Sequence, residues 1–211
     1  MESEKEDNVI RFSGKMLMPG FSIYVMEVTI DGVFKEGAAT TKLEKWFYIG
    51  MTGDNYYPSA RSAFHRISGH LELGGGSTQN QLEKAIKCLL KRKGAKLNQV
   101  NVAMNTFPIS GYDAGYWSKL RTKQKLSKKF MKSLIGEPGE NKPEANYALF
   151  KSRQQEVADL EKKLIGHARY LVGESQLFNK GKKVAKNVDS GSDMELKEVA
   201  DNVVKCLKTD G

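Results

Sequence analysis

"WFYIGMTGDNYYPSARSAFHRISGHLE" occupies positions 46–72 of the chain. It opens on an aromatic, apolar run closed by Gly50, the composition of a strand that ends in a turn. Alternation with period two puts Trp46 and Tyr48 on one side of that strand and Phe47 and Ile49 on the other. After the break at Pro58, residues 59–71 read as a short helix with Phe64, Ile67 and Leu71 inward. This helix carries two Arg-x-x-x-His pairs, Arg61/His65 and Arg66/His70, each at i,i+4 spacing. The pairs project from different sides of the helix, so at most one of them faces a given site.

The neighbouring segments frame this unit. Residues 21–30, "FSIYVMEVTI", read as a first strand, with Asp31–Gly32 as a turn signal in a long, partly polar hairpin to a second strand at 45–50. A helix follows "LGGGSTQNQ", capped by Ser77 or Thr78, striped by Leu82, Ala85, Ile86, Leu89 and Leu90, and stopped by Gly94. Residues 97–107 alternate as a third strand, and "GEPGENKPE" is a loop. A long helix is expected from Glu144 to about Val172, then a linker at 179–193 and an amphipathic helix over roughly 194–207. The order predicts an α+β domain: a small three-stranded antiparallel sheet flanked by helices, with a basic insertion and a C-terminal helical tail.

Composition narrows the function classes. The chain has 211 residues, 39% hydrophobic and 28% charged, which suits a globular domain with a core. No apolar run approaches the ~20 residues of a membrane span. The acidic, polar "MESEKEDN" predicts no secretory signal, and the two distant cysteines, Cys88 and Cys206, predict neither a disulfide framework nor a zinc site. A reducing, cytoplasmic setting is therefore expected.

The net charge of +9 is unevenly spread. From Ala114 to Gly136 the basic residues are Lys119, Arg121, Lys123, Lys125, Lys128, Lys129 and Lys132, with no acid among them and with Tyr116, Trp117 and Phe130 interleaved. Lysines release counterions from phosphates and aromatics stack on bases, so this segment reads as a nucleic-acid-binding surface. It reads equally as a solvated helix docked through Leu120, Leu126, Phe130 and Leu134.

On the long helix, Val157, Leu160, Leu164, Ala168 and Leu171 share one face, and Glu161 falls inside that face. A carboxylate there must be paired, neutralised or bound to a metal, because bare burial costs several kcal/mol. Tyr, Arg, His and Glu with a basic periphery suit phosphodiester chemistry. Arginine grips phosphate bidentately, a carboxylate holds a hard cation, and a phenol or imidazole handles the proton of the attacking water.

"SIY" at 22–24, "YIG" at 48–50, "RISGH" at 66–70, "LEKKLI" at 160–165 and Asn179 resemble, in order, the motifs of the GIY-YIG nuclease superfamily. The resemblance implies a nuclease domain over 1–179, with its basic insertion at about 108–143, followed by a linker and helix over 180–211. It implies an endonuclease that hydrolyses DNA phosphodiester bonds with Mg²⁺ or Mn²⁺. In that reading Tyr24 and Tyr48 line the site, one of them as general base or water-positioner. Arg66 contacts the scissile phosphate, His70 assists, Glu161 ligates the metal and Asn179 supports the site. Double-stranded DNA is the expected partner, and dimerisation would allow double-strand cleavage. Ser22 departs from the first motif glycine, the two tyrosine motifs are far apart, and Arg61/His65 is a rival to Arg66/His70. The alternatives are a non-catalytic DNA-binding or regulatory protein on the same scaffold, or a nuclease for branched DNA or RNA.

The basic insertion generates its own test. Neutralising Lys123, Lys125, Lys128 and Lys129 together is expected to weaken DNA binding and flatten its salt dependence, each true phosphate contact carrying a slope of about −0.9 in log K against log salt. Unchanged affinity and slope in the folded variant would favour the solvated-helix reading.

Overall fold

The structure, a computed structural model, describes residues 16, 20–34, 43–52, 62–64, 66, 81–109, 143–181 and 183–208. Three strands form one antiparallel sheet in the order β2-β1-β3: β1 is Phe21–Phe34, β2 Leu43–Thr52 and β3 Val100–Ile109. Among the described residues they are accompanied by helices α1, Gln81–Lys93; α2, Pro143–Val172; and α3, Met194–Lys208. The fold is α+β, as expected.

β1 is central and buried on both faces, which is why residues 21–30 read as a nearly continuous apolar run. On one face Phe21, Ile23 and Val25 join Phe47 and Ile49 of β2 and meet Val157, Leu160, Leu164 and Ala168 of α2. The same cluster contains Leu196, Val199, Ala200, Val203 and Leu207, so the C-terminal helix is built into the core rather than appended to it. On the other face Tyr24, Met26, Val28 and Ile30 join Trp46 and Tyr48 under Leu82, Ile86, Leu89 and Leu90 of α1. The alternation expected for β2 is therefore realised, and its two sets of aromatics serve two different cores.

Three local expectations change. Asp31–Gly32 is not the hairpin turn: β1 runs on to Phe34, with an irregularity in its pairing between Thr29 and Phe34, and Gly32 takes a positive φ of 79° inside it. A bulge uses the same glycine chemistry as a turn, so the dipeptide alone does not separate them. The third strand begins at Val100, because Leu97–Gln99 is a 3-10 turn closed by Gln99 N–H donating to Lys96 O. Pro108 is tolerated because β3 is an edge strand. Phe64, expected inward, is 39% exposed, and Ala63 beside it is buried; Ile67 and Leu71 lie outside the described residues. Ser77 and Thr78 lie outside the described residues. Gly94 ends α1 as expected, with Ala95 N–H donating to Leu90 O at 3.0 Å. No helix among the described residues is long and apolar enough to cross a membrane.

Gly50 has a steric reason to be glycine. It pairs with Tyr24 across β1 and β2, and a Cβ there would overlap the Tyr24 ring. The phenol therefore lies directly on the β2 backbone. Gly50→Ala is expected to destabilise the fold by about 1–3 kcal/mol through overpacking, read by urea denaturation. Combining it with Tyr24→Ala should abolish that added cost; a methyl equally costly in both backgrounds would contradict the contact.

Candidate active site

Tyr24 and Tyr48 sit on the same sheet face, offset by one pairing step because Met26 is the residue opposite Tyr48. Their ring centroids are 6.3 Å apart with planes tilted by 32°. Tyr24 is fully buried and Tyr48 nearly so. Arg66 reaches them from the helical segment in which it donates its N–H to Ser62 O at 3.3 Å. Its guanidinium is hydrogen-bonded to the Tyr24 phenol. Its Nε is buried and has no hydrogen-bond partner among the described residues.

Glu161 comes from the middle of α2, one residue past buried Leu160. Its carboxylate accepts the backbone N–H of Met51 on the outer edge of β2. From there it feels Arg66 and acts on both phenols. Asn179 holds the same edge two residues earlier: its Oδ1 accepts Ile49 N–H at 2.8 Å and its Nδ2 donates to Ile49 O at 2.7 Å. Phe178 N–H donates to Phe47 O at 2.8 Å. Thus Tyr24, Tyr48, Arg66, Glu161 and Asn179, up to 155 positions apart from Tyr24 to Asn179 (179 minus 24), converge on the end of β2. Arg61, His65 and His70 lie outside the described residues, as do Lys119, Arg121, Lys123, Lys125, Lys128 and Lys129.

Burial sets the protonation of this cluster. It raises the Tyr24 phenol far above its usual range, helped by Tyr48 and by the negative charge of Glu161, while Arg66 pulls in the opposite sense. Tyr48 is pushed up to about 12, first by burial and then by Glu161, again against Arg66. Burial also raises the Glu161 carboxyl to about 7, with Arg66, the Met51 N–H and Lys162 opposing. Near neutrality the cluster therefore holds two protonated phenols, one arginine cation and a carboxyl on the edge of ionisation.

Two buried polar groups have partners that nothing local in the sequence indicates. Ser22 is buried, and its hydroxyl lies 3.0 Å from Thr52 Oγ1. Thr52 in turn donates to Gly20 O at 2.6 Å, so a buried hydroxyl pair closes the β1–β2 end. Arg169 is also buried, and its Nη2 donates to Asn179 O at 2.7 Å. An arginine one turn after Ile165, at the border of the apolar stripe, was its only trace in the sequence.

Among the described residues no group of three or more His, Cys, Asp or Glu side chains gathers as a closed metal cage would require. Glu161 offers one desolvated carboxylate. That suits Mg²⁺, which is commonly held by one or two carboxylates while water and a substrate phosphate complete its shell. Comparison of the chain with protein-family models, with curated proteins and with solved structures gave no match.

The raised Glu161 carboxyl makes stability depend on pH with a definite sign. Its value of about 7 in the fold stands against 4.5 for the free group, so between these values the folded protein binds more protons than the unfolded chain. The contribution is complete below about pH 4.5, declines as pH rises and is lost above about 7. In the presence of a chelator, the wild-type protein is expected to lose stability across this window relative to Glu161→Gln. Parallel stability–pH curves for the two proteins in urea denaturation would rule out a buried, protonated Glu161.

Proposed function

We propose that the chain is a divalent-metal-dependent endonuclease that hydrolyses DNA phosphodiester bonds. The observation that carries this reading is Arg66: a half-buried arginine hydrogen-bonded to one phenol, its buried Nε without a partner among the described residues, beside a desolvated carboxylate. A buried donor without an acceptor costs roughly 1–3 kcal/mol, and a phosphodiester oxygen is an acceptor of the right charge and shape. The resemblance of the five converging residues to the GIY-YIG motifs supports the same assignment.

In this reading Arg66 grips the scissile phosphate and stabilises the charge that grows on its oxygens. Glu161 would hold a divalent ion, which when bound would supply further positive charge beside the phosphoryl group. Both phenols rest protonated, so their first role is to orient the attacking water through Oη. Taking its proton requires positive charge nearby to lower the phenol, and Arg66 already acts in that direction on both rings. Asn179 keeps β2 in register so that Tyr48 and the Met51 N–H stay aligned with Glu161.

The test is incubation of purified protein with plasmid, single-stranded DNA and RNA, in Mg²⁺, Mn²⁺ or EDTA. Metal-dependent plasmid cleavage is expected. Glu161→Gln should abolish it while retaining DNA binding, and Arg66→Ala should cost about 10²-fold or more, far more than Arg61→Ala. Cleavage that survives in EDTA, or in a folded Glu161→Gln protein, would overturn the metal assignment. Binding without any cleavage would favour the non-catalytic reading.

A further inference from the structure

The segment after α2 reads from sequence as a linker, yet it is a strap tied to that helix at successive points. Beyond Asn179 it runs back along α2. Arg169 Nη2 donates to Asn179 O at 2.7 Å and Nη1 to Lys183 O at 3.3 Å. Ala185 N–H donates to Gly166 O at 3.0 Å, and His167 Nδ1 lies 3.0 Å from Ala185 O. Lys163 Nζ donates to Asp189 O at 2.5 Å. The anchors descend the helix from 169 to 163 as the strap ascends from 179 to 189, and on the strap every one of them is a backbone group.

On this held backbone, three lysines among the described residues face solvent. Lys180, Lys183 and Lys186 are all exposed, and none of them forms an ion pair among the described residues. No acidic residue occurs from Ser175 to Val188, between Glu174 and Asp189. Tyr170, 53% exposed, stacks on His167 at 6.1 Å and so flanks the strap with an aromatic ring. The strap starts at Asn179, on the β2 edge beside the Glu161 contact. From Lys180 to Lys186 an extended chain reaches at most about 20 Å, the axial length of about six phosphates of one strand, so the three lysines can meet separate phosphates.

We infer that the strap is a rail for the phosphate backbone of duplex DNA leading away from the scissile bond. The inference rests on the DNA-cleavage reading and deepens it. A lysine array on a loose linker would have to be ordered on binding; here the anchors to α2 have ordered its backbone already.

The test measures binding of a short fluorescent DNA duplex by anisotropy over a range of salt concentrations, in EDTA, on the full chain carrying Glu161→Gln. Adding Lys180→Gln, Lys183→Gln and Lys186→Gln should weaken binding and flatten the salt slope by up to about 2.7, three contacts at about 0.9 each. A matched triple change on α3, at exposed Lys197, Lys205 and Lys208, alters net charge equally and should leave the slope unchanged. A strap variant that is folded by circular dichroism and binds as its parent does would overturn the rail, as would an equal effect from the α3 variant. If wild type cuts DNA and the strap variant binds normally, the rail alone fails. If the parent binds no duplex at all, the rail and the DNA reading fall together.

Discussion

The outer edge of β2 is the constraint on which the other contacts depend. Residues 47, 49 and 51 turn their peptide groups away from β1. An edge strand left that way exposes unpaired donors and acceptors, and each one buried without a partner costs roughly 1–3 kcal/mol. Here the distant C-terminal half takes them in turn: Phe178 N–H on Phe47 O, the Asn179 amide on both polar atoms of Ile49, and Glu161 on the Met51 N–H. The Asn179 side chain imitates one residue of a neighbouring strand. Because Tyr48 lies between the first and second of these three anchored residues and Gly50 between the second and third, completing the sheet edge and assembling the site are the same event.

The site so formed gathers groups that resist burial. Two phenols stay neutral, Arg66 is a cation, and Glu161 titrates at about 7. Below that pH the cluster is net positive; above it the arginine and carboxylate balance. Neither condition satisfies every group, since the Arg66 Nε has no partner among the described residues in either. A dianionic or monoanionic oxygen ligand together with a cation would relieve both groups at once, the anion at Arg66 and the cation at Glu161. Such paired demand is uncommon in a purely structural ion pair, which would bring its two charges into direct contact and leave nothing over.

What the sequence revealed follows from the range of each interaction. Local rules placed the two faces of β2, the stop of α1 at Gly94 and the span of α2, because alternation, glycine chemistry and helical periodicity are written in consecutive residues. Glu161 could be singled out because a carboxylate inside an apolar stripe breaks a local pattern. The Asp31–Gly32 pair misled because a bulge and a hairpin turn need the same backbone freedom. The C-terminal segments were hardest to place. Residues 179–193 have a linker's composition, and nothing local in them says that Arg169, Gly166 and His167 will bind their backbone. Nor does the amphipathicity of α3 say which surface will cover it. The Ser22 hydroxyl became intelligible only beside Thr52, thirty positions away.

The position of Glu161 follows from how α2 is held. Eight residues before it, Arg153 donates to Asp193 and Glu195 at 2.6 Å each, while Asp193 caps α3 by accepting the N–H groups of Glu195 and Leu196. Eight residues after it, Arg169 holds the strap at Asn179 and Lys183. Each anchor is about 12 Å along the helix from the carboxylate. One fixes α2 to the helix that fills the core, the other to the residue that completes β2. A shift of α2 by one turn would displace Glu161 from the Met51 N–H by about 5 Å and break both arginine anchors. The apolar stripe of Val157, Leu160, Leu164 and Ala168 could accommodate some sliding, since aliphatic contacts are not directional. The two arginines are directional, and they hold one carboxylate in register with two phenols on another element.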